Sequence, residues 1–287
     1  MPPAAANPAT RPFGTTGRPV ATVGQGSWRL EQADEGAAIA ALRHGLDLGL
    51  THIDTAEMYG DGAAERVIGK AIDGRRDEVF LVSKVLPSNA SRRGTVQACE
   101  RSLKRLGVER LDCYLLHWRG RVPLAETVAA FAELQQAGKI AAWGVSNFDV
   151  ADLEEVTALA GPPACNQVLY HVAERHVEHA VIPWCSAHGT AIVAYTPFGL
   201  SDAPYTGGTG AARVLAEIAA AHGATPRQVA LAFLLREPAL FVIPKAVRAA
   251  HVADNATAMS LRLRPAEIEA IAAAFPRQHA DRELPTV

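Results

Sequence analysis

The sequence is short of cysteine and lysine, and it has no long uninterrupted apolar run. Only four of its 287 residues are cysteines: Cys99, Cys113, Cys165 and Cys185. They are well separated and form no CxxC pair, which argues against a disulfide framework and for reduced, mostly buried thiols. No run of 18 apolar residues occurs, so no membrane-spanning helix is expected. Positive charge is not in excess: the formal net charge is −2, which gives no hint of the basic face of a nucleic-acid binder. The chain does not open with a basic region followed by an apolar core, so no secretory signal is read there. Residues 1–11, rich in Ala and Pro, read as a flexible tail on a cytoplasmic protein.

What is present suits one globular domain. Hydrophobic residues make up 49% and charged residues 20%, near the averages for folded chains. The length fits a single α/β barrel of about 250 residues. Short β-branched apolar runs begin near Thr51, Val79, Leu111, Ile140, Ala164, Ala191 and Leu240, and residues 21–28 supply a plausible first strand. Helical patterns fill the gaps. Ile39, Leu42 and Leu46 share one face, and Val96, Cys99, Leu103 and Leu106 share another. Alternating strands and helices predict a parallel sheet with both faces covered.

Eight such units predict a closed (β/α)8 TIM barrel over 12–287, with a small N-terminal β-hairpin across 13–20 as a cap. Two extra helices are expected, since the gap before the last strand holds a helix near 212–222 and another after Thr225, and a final helix follows at about 265–275. Thr225-Pro226-Arg227-Gln228 reads as a cap, a first-turn proline and a capping-box glutamine. A doubly wound sheet would call for a switch in strand order and often a G-x-G-x-x-G turn, of which Gly24-Gln25-Gly26 is only a fragment.

In such a barrel the chemistry sits at the C-terminal strand ends. Those ends carry Ser27 and Trp28, Asp54 with Tyr59 just beyond it, Lys84, His117 and Trp118, Ser146 and Asn147, Asn166 and Gln167, Tyr195, and Lys245. Only five lysines exist, and two of them fall here, where an unpaired ammonium is costly. A carboxylate beside an ammonium keeps both charged. A cation beside a phenol favours phenolate, which predicts that Lys84 lowers the pKa of Tyr59 from its ordinary value of about 10. A neutral histidine can orient a carbonyl oxygen. That set suits carbonyl reduction, with hydride delivered to carbon and a proton to oxygen. His52, on the face of Asp54 but one layer deeper, reads as a hydrogen-bonded core histidine.

Taken together, these residues resemble the aldo-keto reductase superfamily from about 13 to 275. The matching motifs are Gly26-Ser27-Trp28, His52-Ile53-Asp54-Thr55-Ala56-Glu57-Met58-Tyr59-Gly60, Val82-Ser83-Lys84, Leu115-Leu116-His117-Trp118, Gly138-Lys139-Ile140, Gly144-Val145-Ser146-Asn147-Phe148, Asn166-Gln167-Val168, Tyr195-Thr196-Pro197-Phe198-Gly199 and Ile243-Pro244-Lys245-Ala246. Each is weak alone; all nine in order are specific.

The resemblance implies a catalytic tetrad of Asp54, Tyr59, Lys84 and His117, with Tyr59 as proton donor. It implies NADPH or NADH lying across the barrel mouth. Ser146, Asn147 and Gln167 would hold the carboxamide, Tyr195 would stack on the nicotinamide, and Ser27, Trp28 and Asp54 would border it. Thr196, Pro197 and Phe198 would follow the pyrophosphate. Lys245, Ala246, Val247, Arg248, His251, Asp254 and Asn255 would surround the adenosine end. Trp28 and Trp118, with Tyr59 and His117, would wall the substrate pocket.

Departures from the family pattern bear on specificity. Ala246 stands where Ser is common, and His251 where Arg often grips a 2′-phosphate. Lys245 and Arg248 still supply positive charge, so NADPH is favoured over NADH. Arg119 replaces a common proline; it reads as a solvated loop arginine, the alternative being a charge at the pocket suited to carboxylate or sugar-acid substrates. Only twelve residues follow Phe275, which suggests an open pocket.

The expected protein is therefore a monomeric cytoplasmic oxidoreductase that reduces aldehydes and activated ketones, small-molecule carbonyls, to alcohols with NADPH. The alternatives are a cofactor-binding regulatory module of the same fold and, more remotely, a metal-dependent enzyme recruiting His52, Asp54, Glu57 and His117. No HxH or HExxH supports the latter, and no metal site is expected.

Overall fold

A computed structural model describes residues 10–206 and 208–286. The first nine residues of the expected tail lie outside that range. Its last two do not behave as tail. Thr10–Pro12 form strand β1, paired antiparallel with β2, Pro19–Ala21. Arg11 is buried and donates from its guanidinium to the carbonyls of Leu235 and Glu237, both at 2.6 Å, so the hairpin is bolted to the barrel. The hairpin thus starts earlier than the apolar pattern alone indicates. Its anchor is a charged residue, which hydrophobic periodicity does not register.

Eight parallel strands follow in sequential order. They are β3 (Gln25–Gly26), β4 (His52–Asp54), β5 (Phe80–Val85), β6 (Leu111–Leu116), β7 (Ile140–Ser146), β8 (Cys165–Leu169), β9 (Ala191–Tyr195) and β10 (Leu240–Val242). The barrel closes where Val23 bridges Val242, with Gly24 N donating to Val242 O at 2.8 Å and Gly26 N to Pro244 O at 3.1 Å. The regular first strand is much shorter than 21–28. Gly24 and Gly26 make this seam narrow: a Cβ on Gly24 would lie 2.7 Å from His52 O, and one on Gly26 2.5 Å from Ile243 O.

The helices are α1 (Glu35–Asp47), α2 (Ala63–Ile72), α3 (Arg92–Leu106), α4 (Leu124–Gln136), α5 (Val150–Ala160), α6 (Val181–His188), the single turn α7 (Ala203–Thr206), α8 (Gly210–His222), α9 (Pro226–Leu234), α10 (Ala249–Thr257) and α11 (Pro265–Ala274). Local sequence sets their ends. Asp34 and Ser91 accept the backbone N–H groups of Ala37 and Gly94, and α9 carries the expected capping box of Thr225 and Gln228. The expected faces are the ones that pack: Leu42 and Leu46 of α1, and Cys99, Leu103 and Leu106 of α3, are buried against the strands. Beyond the eight-unit plan, α8 interrupts the route from β9 to α9, and α11 ends the fold. Among the described residues no helix is long and apolar enough to cross a membrane. All four cysteines are free and buried, and burial pushes the Cys99 and Cys185 thiols up to about 12.

Two cores result. The larger lies between strands and helices; the smaller fills the barrel with Phe13, Phe80, Val82, Cys113, Leu115, Cys165, Val193, Phe241 and Ile243. Strand side chains alternate with period two, so the inward rows climb from an apolar floor to a polar rim. His52 lies under Asp54, Phe80 and Val82 under Lys84, Cys165 under Gln167. At the floor, His52 departs from expectation. It is wholly buried, yet neither ring nitrogen has a hydrogen-bond partner. Phe13, Phe80 and Phe241 present their rings edge-on to it, with centroids 5.7, 5.6 and 6.3 Å away. Burial, helped by the charge of Lys84, holds its pKa at about 3, so it packs as a neutral ring.

Candidate active site

The rim assembles from three successive strands and the segments that follow them. β4 ends at Asp54, and the backbone continues beside β5: Thr55 N donates to Val82 O at 2.9 Å and Glu57 N to Lys84 O at 3.3 Å. That continuation brings Tyr59 back over Lys84. His117 follows directly after β6, where its N–H donates to Val85 O at 3.0 Å.

The Lys84 ammonium is fully buried and its three donors are all directed. It donates to Asp54 Oδ1 at 2.5 Å and Thr55 O at 2.7 Å, and it lies 3.5 Å from Tyr59 Oη. The second Asp54 oxygen accepts from Gln167 Nε2 at 2.7 Å. A buried ion pair is tolerable only when its remaining hydrogen-bond capacity is met in this way. Burial alone would lower the Lys84 pKa, but Asp54 and Tyr59 together outweigh it and raise it; on Asp54, against the expectation for a paired carboxylate, burial outweighs the pull of Lys84 and Gln167 and raises the pKa.

The expected lowering of the Tyr59 pKa is corrected. Burial dominates and raises it, while the Lys84 cation pulls in the opposite direction. The predicted influence exists but is outweighed by the packing around Tyr59, which stands half-buried at the cavity wall. His117 stands edge-on to Tyr59, 5.8 Å between centroids. Burial and then the Lys84 charge lower its pKa to about 2, so it is a neutral imidazole, and its Nδ1 is buried without a partner.

These groups open into a cavity of about 360 Å³. Trp28, Tyr59, His117 and Trp118 line it as expected, with both tryptophans more than a third exposed at the mouth. Asp54, Ser27, Ser146, Asn147, Gln167, Tyr195, Thr196, Pro197, Phe198 and Lys245 also face it. Ala246, Val247, Arg248, His251, Asp254 and Asn255 do not: they sit on the segment after β10 and on α10, where Arg248 reaches the His251 ring at 2.6 Å. Asn147 is held with a left-handed φ of 58°. It donates to His117 O and Ser146 Oγ, both at 3.1 Å, and accepts from Tyr195 Oη at 2.8 Å. It therefore braces three rim positions at once. Ser27 Oγ is buried at the wall with no partner.

Three wall residues carried no sequence signal: Arg29, Met58 and Leu200. Arg29 adopts a left-handed φ of 59° and lays its guanidinium over the Trp28 ring at 4.4 Å. Arg119, by contrast, is absent from the wall. It pairs with Asp152 at 2.9 Å and Glu155 at 2.6 Å on α5, which uses its charge outside the pocket. Among the described residues, no cluster of three or more His, Cys, Asp or Glu side chains could hold a metal ion. Glu57 is engaged elsewhere, accepting from the Leu86 N–H at 2.8 Å and the Asn89 amide at 2.9 Å.

The family model described as the aldo/keto reductase family matches residues 22–275. The chain is 45% identical over 258 residues to the methylglyoxal reductase YeaE of Escherichia coli, covering 88% of this chain and 90% of that protein. It is 31% identical over 249 residues to a glyoxal reductase of Bacillus subtilis, covering 86% of each. A crystal structure of an aldo/keto reductase from Klebsiella pneumoniae in complex with NADP and acetate superposes with a TM-score of 0.90 at 40% identity, covering 97% of this chain and 99% of that one.

Proposed function

The chain belongs to the aldo/keto reductase family, and from that premise we propose that it reduces aldehydes and activated ketones, α-dicarbonyls foremost, to alcohols with NADPH. The observation that carries the reading is the fully buried Lys84 held between Asp54 and Tyr59 at the mouth of a cavity. The methylglyoxal and glyoxal reductases among its relatives support the substrate class.

The residues present fit the cofactor. Ser27 offers a buried hydroxyl with no other partner, Tyr195 offers a ring at the wall, and Lys245 and Arg248 supply charge for phosphates. NADPH, when bound, supplies a hydride to the carbonyl carbon. Tyr59 gives its phenolic proton to the carbonyl oxygen. The phenolate left behind is stabilised by Lys84, which keeps its own proton because Asp54 faces it. Neutral His117 donates an N–H to the carbonyl and aims it at Tyr59. Asp54 and Gln167 act through Lys84, and Asn147 through His117. Trp28 and Trp118 keep water from the apolar side of the pocket. The same reading takes the protein as a cytoplasmic monomer with one catalytic domain over 12–287.

The test is NADPH consumption with α-dicarbonyls, aromatic aldehydes and sugar aldehydes, with Tyr59→Phe alongside. Wild-type turnover that falls by two or more orders of magnitude in the variant is expected, since a positioned proton donor contributes roughly 10²–10⁴-fold. Turnover that survives the substitution removes Tyr59 from the mechanism.

A further inference from the structure

Glu57 lies between Asp54 and Tyr59 in the chain but takes no part in the cavity wall. The residue is buried, with 7% of its surface exposed. Oε1 accepts the backbone N–H of Leu86 at 2.8 Å and the side-chain amide of Asn89 at 2.9 Å; Oε2 lies 3.5 Å from the Arg101 guanidinium of α3. The backbone rungs Thr55 N to Val82 O and Glu57 N to Lys84 O already carry the β4–β5 pairing past the strand ends. The Glu57 carboxylate adds the next rung with a side chain in place of a carbonyl. It stitches the segment that presents Tyr59 to the segment that follows Lys84.

Of the contacts that join these two segments, this one is made by a side chain two residues from Tyr59. Tyr59 Oη and Lys84 Nζ are 3.5 Å apart, at the long limit of a hydrogen bond, where a small displacement removes the contact. Beyond Tyr59 the chain turns through Gly60 and Gly62, both in left-handed conformation, into α2, so the Tyr59 segment is tied to β5 only on its N-terminal side. A buried carboxylate carries a desolvation cost that three donors offset here. We propose that Glu57 is a positioning residue that sets the distance between the Tyr59 hydroxyl and the Lys84 ammonium, and thereby the acidity of the proton donor. This rests on the proton-donor reading of Tyr59 given above.

The charged and titratable groups facing Tyr59 are Lys84, Asp54 and His117; those facing Glu57 are Arg101 from α3 and Tyr114 from β6. Of these, Lys84 is the one that lowers the Tyr59 pKa, so a longer Tyr59–Lys84 distance raises it.

The experiment compares Glu57→Ala, Glu57→Gln and Asn89→Ala with wild type and Tyr59→Phe. It reads kcat and KM for methylglyoxal, NADPH affinity by fluorescence, and the pH profile of alcohol oxidation, which needs the phenolate. Glu57→Ala is expected to lose about tenfold to a hundredfold in kcat, the range that roughly 1 Å of misplacement costs. Its NADPH affinity stays within about twofold, and its oxidation profile moves to higher pH. Glu57→Gln keeps an acceptor for the Leu86 N–H and recovers most of the rate. Wild-type kcat and pH profile in Glu57→Ala overturn the proposal, and so does a rate loss with an unmoved profile, which marks a merely structural role. Should Glu57→Ala fail to fold, Glu57→Gln and Asn89→Ala carry the test: both must move the profile in the same direction by less, and wild-type profiles in both overturn it. An active Tyr59→Phe, by contrast, brings down the reading of the site itself.

Discussion

Acid should weaken this protein well above the range in which its paired carboxylates titrate, and His52 is the residue that can demonstrate why. In the folded chain His52 is enclosed by three phenylalanine rings, and its pKa is held at about 3 by burial and by the Lys84 charge. In the unfolded chain it titrates near its ordinary value of about 6.5. The lowered folded value fixes the sign: between those two values the unfolded state binds the extra proton, so stability is complete above pH 6.5 and declines as the pH falls. At pH 5 the unfolded imidazole is almost fully protonated and the buried one is not. The loss is about 2 kcal/mol, since each pH unit below the unfolded pKa counts for about 1.36 kcal/mol. That figure holds for any folded pKa below about 4.

His117, lowered to about 2 by burial and Lys84, and His171, lowered by burial, act in the same direction, so the loss of wild type between pH 7.5 and 5 should exceed the His52 share. Against a typical total of about 5–15 kcal/mol this is large. The strongly paired carboxylates Glu178 and Glu267, both held near about 2, stay ionised over that window and do not contribute. The assay is urea unfolding at several pH values for wild type and His52→Leu. The variant should keep its stability at pH 7.5, because it replaces a buried imidazole without partners. It should also shed about 2 kcal/mol of the pH dependence, the His52 share. Parallel curves for the two proteins would refute the argument, since they would mean that His52 finds a proton acceptor in the folded state or titrates normally there.

Other substitutions probe the rim. Lys84→Met leaves Asp54 buried without its cation and should cost about 3–5 kcal/mol in unfolding free energy, with Asp54→Asn added to it recovering part of the loss in a double-mutant cycle. Asn147→Ala should destabilise by about 2 kcal/mol, from the left-handed backbone and the lost side-chain hydrogen bonds together, while Asn147→Gly should lose only the hydrogen-bond share. Arg119→Ala should change stability by less than about 1 kcal/mol and leave the ratio of kcat/KM values for anionic and neutral carbonyls unaltered, because the side chain serves a part-exposed ion pair on α5.

The fold was readable because parallel barrel strands are buried on both faces and stand out as compact apolar runs. β5, β6 and β7 are six or seven residues long and fall where those runs predict. β3 was harder. Its regular pairing covers two residues, and the seam it closes depends on Gly24 and Gly26 approaching neighbouring carbonyls, a packing requirement that leaves no trace in hydrophobicity. Arg11 shows the same blind spot, since its role is to satisfy carbonyls far along the chain. The conformations of Arg29 and Asn147 were equally hidden, because a positive φ in a residue with a side chain is imposed by its surroundings.

For the site, identity was legible and spacing was not. Period-two alternation within each strand already sorts residues into inward rows, so Asp54, Lys84 and Gln167 could be placed on one rim from sequence alone. What alternation does not contain is how far one row stands from the next, or how a residue beyond a strand returns to it. Tyr59 is the instructive case. Lys84 does pull the phenol's pKa down, yet burial outweighs it and the Tyr59 pKa rises. Desolvation depends on everything packed around a group, whereas a charge pair depends on two residues. A sequence therefore reveals partners before it reveals the medium in which they meet.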